Sequence, residues 1–490
     1  MKNRHSILVV LFLALGIGWA QDSSGPAPSS SDAQTRTEPA PALGPAPISV
    51  QLEENPPISG LDQPSLEPRA AARSFLLPGV VVSESVDSNI GNTTGGAAIH
   101  GVTRGFGTLT LERLWSKYAT ALNYLGGDAY FSGNGRGNTL VQQLEVYQRI
   151  AWRTGQFSVR DSFSYLPEGS FGYGTFGGAG AYQSGLPFTG PGGGLSGAGL
   201  GGGGFFGGGQ FGTLGQEPRI SNVVLGEAIQ ALSPRSSVTA AGSYSLTHFT
   251  KNSTETINGV PIEFTLINSR QASIQAAYDY QLGRHDQVGV LYGFQHFQYP
   301  LQSSGNFTAH TWHLIYGHRI SGRMDFLLGG GPQLVVLSSP MSNDSRRLSV
   351  SGRASLRYRL RKGEVHLSYS RFTTSGSGFF VGANTDIARI SLSEPLSRQW
   401  DAMVDIGYSH NSQIQPGGGF TTATSYGYVY AGAVAHRRLG RSFSFFLSYQ
   451  FNDLAFNDSF CTTLGPCNRS SLRHVATAGL EWHPRPIRLD

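Results

Sequence analysis

Alternation with a period of two, sustained over ten or more residues and repeated along most of the chain, is the feature that most narrows the possible folds. Over 270–280, Ala272, Ile274, Ala276, Tyr278 and Tyr280 share one parity, and Gln271, Ser273, Gln275 and Asp279 share the other. Over 347–360, Leu348, Val350, Ala354, Leu356, Tyr358 and Leu360 oppose Arg347, Ser349, Ser351, Arg353, Ser355, Arg357 and Arg359. Trp400, Ala402, Val404, Ile406 and Tyr408 oppose Gln399, Asp401, Asp405 and Ser409, and Phe443, Phe445, Leu447, Tyr449 and Phe451 oppose Ser442, Ser444, Ser448 and Gln450. Successive side chains of a strand point to opposite faces, so each segment is a strand with one apolar and one wet face.

Strands of ten or more residues are longer than the five or six usual in soluble sheets and match the length needed to cross a bilayer at a tilt. Aromatic residues gather near the ends of the apolar parity, as at Tyr278 and Tyr280, Trp312 and Tyr316, and Trp400 and Tyr408. That is the pattern of interfacial girdles on a membrane barrel. Alternate connections are short, marked by Thr154-Gly155, Ser233-Pro234, Leu282-Gly283, Ser321-Gly322, Lys362-Gly363 and Leu439-Gly440. The intervening ones, 166–218, 250–266, 411–422 and 452–470, are long. The expected fold is all-β: a transmembrane antiparallel up-and-down β-barrel of about 16 strands, within 14 to 18, with long extracellular loops. Some 16 or 17 strands can be placed from Phe106 onward, and 97–103 offers one more.

Composition agrees. Charged residues make up 14% of the 490, against roughly 25% in soluble domains. The net charge of +5 comes from basic residues set singly beside the short turns: Arg153, Arg235, Arg284, Arg323, Arg361, Lys362, Arg398, Arg437, Arg438 and Arg441. They read as a cationic collar on the periplasmic rim, meeting anionic lipid headgroups. No basic stripe with a recognisable module is present, so nucleic acid is not an expected partner.

Ahead of the barrel, Lys2 and Arg4 precede an apolar run over 7–15, and the small residues Gly18 and Ala20 predict cleavage before Gln21. Residues 1–20 are thus read as a signal peptide. Residues 21–95 are read as a disordered, Pro-rich periplasmic leader, because 21–78 holds eleven of the 25 prolines and too little apolar surface to offset its ordering entropy. The barrel is assigned to 96–482, and 483–490 to a C-terminal tail. Cys461 and Cys467, in a polar segment with Gly465 and Pro466, read as one local disulfide closing a surface loop, with two free thiols as the alternative.

In the final strand Leu472, His474, Ala476, Ala478, Leu480 and Trp482 alternate with Arg473, Thr477 and Glu481. This segment resembles the terminal strand of porin-like outer-membrane proteins, whose closing aromatic belongs to the signal read by the barrel assembly machinery. The resemblance gives Trp482 that role, although eight residues follow it. It covers the strand-and-loop pattern from Phe106 to Trp482, is architectural, and identifies no particular family.

Little points to catalysis. The glycine-rich tract within 166–218 lacks the Gly-Lys-Ser/Thr of a phosphate loop; it reads as an extracellular loop, free or folded inward over the pore. His310 and His313 stand three apart on a strand, on opposite faces, so they cannot share a metal. Glu364, His366 and Ser368 share a wet face but are strung along one strand about 7 Å apart, too far for a relay. No cofactor, metal or enzymatic activity is expected. The candidate pore lining is Glu145, Arg149, Arg160, Arg353, Arg357, Arg359, Glu364, Asp401, Asp405, Arg473 and Glu481. Opposed rows of arginine and acid would orient polar solutes, with a weak anion preference from Arg353, Arg357 and Arg359. The expected function is passive diffusion of small polar solutes or ions, the alternative being a surface-interaction barrel with a blocked lumen. Outer-membrane lipid and the assembly machinery are the expected partners, and a homo-oligomer is left open.

Overall fold

The computed structural model describes residues 74–89, 98–132, 137–166, 219–233, 235–250, 254–257, 260–263, 268–283, 285–301, 305–338, 345–374, 380–397, 399–415, 423–457 and 469–489. In chain order the strands are β1 (Phe75–Asp87), β2 (His100–Leu114), β3 (Tyr118–Phe131), β4 (Gly137–Trp152), β5 (Gly155–Leu166), β6 (Arg219–Ser233) and β7 (Ser236–Phe249). The short β8 (Thr254–Ile257) and β9 (Val260–Glu263) follow, then β10 (Ser269–Gln281), β11 (Asp286–Gln298), β12 (Phe307–Ser321), β13 (Met324–Leu337) and β14 (Ser345–Arg359). The series ends with β15 (Glu364–Thr374), β16 (Ala383–Pro395), β17 (Trp400–Gln413), β18 (Ser425–Arg438), β19 (Phe443–Phe456), β20 (Ser470–Trp482) and the two-residue β21 (Ile487–Arg488).

Each long strand pairs antiparallel with its neighbours, β7 pairs with β10 across the β8–β9 hairpin, and β1 pairs with β20. The result is a closed antiparallel ring of 18 strands. Closure gives every long strand a paired neighbour on both sides, so no open edge remains, the condition for crossing hydrocarbon with strands. Short turns (115–117, 153–154, 234–235, 282–285, 322–323, 360–363, 396–399 and 439–442) all fall on one rim, and the connections of the other rim reach 52 residues at 167–218. At the turn before β19, Gly440 has φ of +120°, a conformation that excludes ordinary side chains.

The parity read from the sequence is the parity of the wall. Leu348, Val350 and Ile274 point outward and are 75%, 66% and 66% exposed, while their neighbours Ser273, Gln275 and Ser351 are buried inside. Outward aromatics cluster at both ends of the aliphatic band. Trp152, Phe157, Tyr278, Tyr280, Tyr316, Tyr358, Phe443 and Trp482 stand toward the short turns, with Tyr130, Tyr244, Trp312, Tyr369 and Tyr408 toward the long loops. This is the outer surface of a membrane barrel.

Two boundaries differ from the sequence reading. Phe75–Asp87 is a barrel strand, although the sequence reading places it in the 21–95 leader, and with the 17 ring strands from β2 onward it completes a ring of 18, within the expected 14 to 18. Segment 97–103 adds no strand of its own, because its last residues open β2. Pro78 disguised β1, and its place explains how it is tolerated: on the β20 side the ladder covers Val80–Asp87, resumes at Phe75 and Leu76 with β21, and skips 77–79. A residue with no backbone N–H costs nothing there. The second difference is the tail, which is not wholly free. Ile487 and Arg488 pair with Leu76 and Phe75, and the Leu489 amide donates to the Ser74 carbonyl at 3.1 Å.

Candidate functional site: the lumen and its two ends

Eighteen strands enclose more room than wall side chains ordinarily fill, yet inward-facing residues are buried around most of this ring. Polar and apolar groups share the interior. Gln271, Gln275 and Asp279 line β10, His313 bonds Ser351 at 2.7 Å, and Gln333 lies within 3.1 Å of Thr373. Beside them Val81, Val102, Phe106, Phe131 and Phe446 form one apolar cluster, and Tyr426, Tyr428, Tyr430, Val434 and Leu454 belong to another. Strict alternation assigned large apolar groups to the outer face, so these inward aromatics were not anticipated.

The two buried ion pairs, Arg389–Asp405 and Arg473–Asp87, join adjacent strands and not rows facing across the lumen. Asp405 accepts two bonds from Arg389, at 2.8 and 2.6 Å, and the pair is 0% and 6% exposed. Arg473 holds Asp87 of the first strand with a bidentate contact across the closure seam. Glu481 accepts a bond from the Ser444 hydroxyl at 2.8 Å. Arg160 is buried, its guanidinium 6.0 Å from the centre of the Tyr147 ring, and Arg149 stands half-buried on the adjacent strand. Arg353 packs beside Gly329. For Glu145, Glu364 and Asp401 the structure fixes backbone positions only: opposite Asn123 and Ser162, opposite Arg359, and opposite Pro395. Trp482 ends β20 on the outer face. Cys461, Cys467, residues 1–20 predicted as a signal peptide and the glycine-rich connection lie outside the described residues.

At the short-turn end the inner wall is wetter. Asp325, on β13, is met by Arg357 at 2.8 Å, Arg319 at 3.1 Å and Arg359 at 4.0 Å. Three guanidiniums converge on one carboxylate, and Arg359 remains 52% exposed. Two of the predicted arginines therefore belong to a cluster whose other members, Arg319 and Asp325, the sequence reading missed. Both lie on the inward parity of strands flanking the 322–323 turn, a signal that a strand-by-strand reading of that hairpin carries.

The long-loop end is closed in part by apolar groups from connections that are not neighbours in the ring. Val381 and Gly382, between β15 and β16, lean against residues of the β11–β12 hairpin: Val381 packs with Phe297, Tyr299 and Phe307. Ile414, from the β17–β18 connection, joins them, its amide donating to the Gly382 carbonyl at 3.2 Å while Arg347 of β14 binds its own carbonyl. Gly382 has φ of +76°, and a methyl added there would come 2.6 Å from the Phe307 ring. Phe380 meets Tyr426 at a ring separation of 5.7 Å, which ties this strap to the aromatic cluster of β18.

No protein-family model matches the chain, and no curated relative does. Among solved structures it is similar to OccK2 (OpdF) of Pseudomonas aeruginosa, at 8% identity, covering 84% of this chain and 100% of that one with a TM-score of 0.40. It is similar also to the ferric citrate transporter FecA, at 10% identity over 85% of this chain and 79% of that one, TM-score 0.39. A third is the FrpB iron transporter of Neisseria meningitidis, at 7% identity over 88% and 84%, TM-score 0.39. At such identities and scores, the architecture rests on the chain's own closed ladder and lipid-type outer face. By these the molecule has the architecture of a membrane-spanning antiparallel β-barrel, and no particular family is shown.

Proposed function

We propose that this barrel is a narrow channel for passive diffusion of small polar solutes or ions, exported by its signal peptide and set with the short-turn rim toward the periplasm. The observation that carries the reading is the half-exposed cluster of Arg319, Arg357 and Arg359 around the single carboxylate of Asp325 on the inner wall. An excess of fixed positive charge at a low-dielectric mouth concentrates anions, so a weak anion preference follows. Purified barrel in planar bilayers under a salt gradient should give a reversal potential of anion-preferring sign. Replacing Arg319, Arg357 and Arg359 with glutamate should move it to the cation side, and an unmoved potential in a conducting triple variant rejects this assignment.

The second reading, a barrel with a blocked lumen whose loops contact other surfaces, is favoured by the buried aromatic strap at the long-loop end. Folded barrel that never conducts at any voltage would decide for it. On either reading no step of bond chemistry is assigned to the chain: His366 and Ser368 sit on one strand, paired to Arg357 and Ser355 of β14. Trp482 is proposed as the aromatic of the assembly signal, with Ile487–Arg488 folded back beyond it.

A further inference from the structure

The lipid-facing surface of β10–β14 is not uniform around its long-loop half. The pairing register sets Ile274, Phe294, His310, Leu334 and Leu348 side by side in one outward row. The next row toward the loops is Ala272, His296, Thr308, Val336 and Arg346, and Arg270 pairs with Gln298 beyond it. Arg270 and Arg346 are exposed on this outer face, and His296 and His310 are half-exposed between them. The histidines are held: Tyr292 hydrogen-bonds Nδ1 of His310 at 2.9 Å, the Phe294 ring lies 5.1 Å from the same imidazole, and His296 bonds Gln298 at 2.9 Å. Below them Leu314, Val350, Leu348 and Ile274 form an exposed aliphatic surface.

Among the described residues, the outward positions of these five strands carry one acid, Asp286. It lies at the opposite rim, bonded by Tyr316 at 2.6 Å and His318 at 2.8 Å. On β15 and β16 the outward charge at the long-loop end is balanced. Arg371 stands 3.5 Å from Asp386, which also accepts a bond from Tyr369 at 2.7 Å. A near copy of the tyrosine–phenylalanine–histidine unit occurs at Tyr449, Phe451 and His474, with a 2.8 Å hydrogen bond and a 5.3 Å ring separation, but it is flanked by Asp453 and not by arginine.

We propose that the β10–β14 face holds a phosphorylated lipid of the outer leaflet, its phosphate between Arg270, His296, His310 and Arg346 and its acyl chains on Ile274, Leu314, Leu348 and Val350. The chemistry is that of an anionic headgroup above an apolar wall: guanidiniums at the water boundary bind phosphate, and the aliphatic rows beneath match hydrocarbon. Charge with no acid beside it among the described outward residues, directly over the most exposed aliphatics of the barrel strands, distinguishes this face from the balanced Arg371–Asp386 face. The inference takes the outer-membrane orientation given above as its premise; it does not depend on whether the lumen conducts.

Native mass spectrometry of the mature chain tests it, with barrel in neutral detergent carrying equal amounts of phosphatidic acid and phosphatidylcholine as probes. Phosphatidic acid should be retained in preference. The Arg270→Gln/Arg346→Gln variant should lose on the order of tenfold or more of that retention, while Arg270→Lys/Arg346→Lys keeps most of it and His474→Gln keeps all of it. Each variant is first checked for the heat-dependent gel shift of a folded barrel. Equal retention of the two lipids by the parent chain, or unchanged retention in the glutamine pair, overturns the proposal. So does displacement of phosphatidic acid by millimolar inorganic phosphate, which marks a free-anion site and not a lipid site.

Discussion

Asp405 and Arg389 show how single residues are chosen inside this wall. Nε and Nη2 of the guanidinium both donate to the same carboxylate oxygen, Oδ2, and adjacent strands bring the two side chains into direct contact. Such a pair contributes little over an apolar pair of similar volume, but removing one member strands the other as a buried charge. Arg389→Met should therefore destabilise the barrel by about 3–5 kcal/mol, lowering the temperature at which the compact gel band converts to the unfolded one. Arg389→Met/Asp405→Leu should recover most of the loss. If the single variant melts with the parent protein, the pair is solvated in the folded barrel. The same logic applies to Asp87 and Arg473, with the difference that this pair spans the junction of first and last strands.

That junction is where element-scale reading was least successful. Val80, Val82 and Val86 face outward and Val81, Ser83, Ser85 and Asp87 inward, so β1 carries the same rhythm as its neighbours. Pro78 and the proline-rich approach to it masked the pattern, because proline in a strand counts against the assignment unless the ladder is interrupted at that point. A tertiary fact, the gap between β20 and β21 opposite 77–79, supplied the exception. The remaining strands were legible because their signal is local: lipid on one side and interior on the other write a parity into each strand. Long-range facts were not. Which arginine meets which acid depends on register between strands, and the inward aromatics of β18 follow from packing against β19, where Tyr428 bonds Asn452.

Cysteines introduced singly at 80, 82, 83, 85 and 86 and given a spin label test the β1 assignment. Relaxation by lipid-soluble oxygen should be strong at 80, 82 and 86 and weak at 83 and 85; five equal, highly mobile spectra would return this segment to the leader. The tail offers a companion test. Removing 484–490 deletes the β1–β21 pairing and the Leu489–Ser74 bond without touching Trp482. The truncated barrel should still assemble, then open its seam at lower temperature than the full chain, and an unchanged transition would show that the β1–β20 ladder suffices alone.

At the scale of the whole molecule, the two ends of the lumen are built on different principles. The short-turn end offers half-exposed arginines to water, and the long-loop end offers Val381 and Ile414 to one another and Phe380 to Tyr426. A ring of 18 strands has the circumference for an aqueous bore, and on the channel reading proposed above the strap that reaches from β16 toward the β11–β12 hairpin is the element that narrows it. Its fit depends on close approach at Gly382, where only a residue without a side chain allows both the positive φ and the contact with Phe307. Gly382→Val should push the strap out of the mouth, because the added carbons have no room against that ring. Single-channel conductance should then rise at least twofold, with fewer brief closures, while the folded gel band persists. Val381→Ala, which trims an apolar contact without moving the backbone, should raise conductance less. Equal conductance in both variants and the parent chain would place the narrowest part of the path elsewhere, among the buried tyrosines of β18.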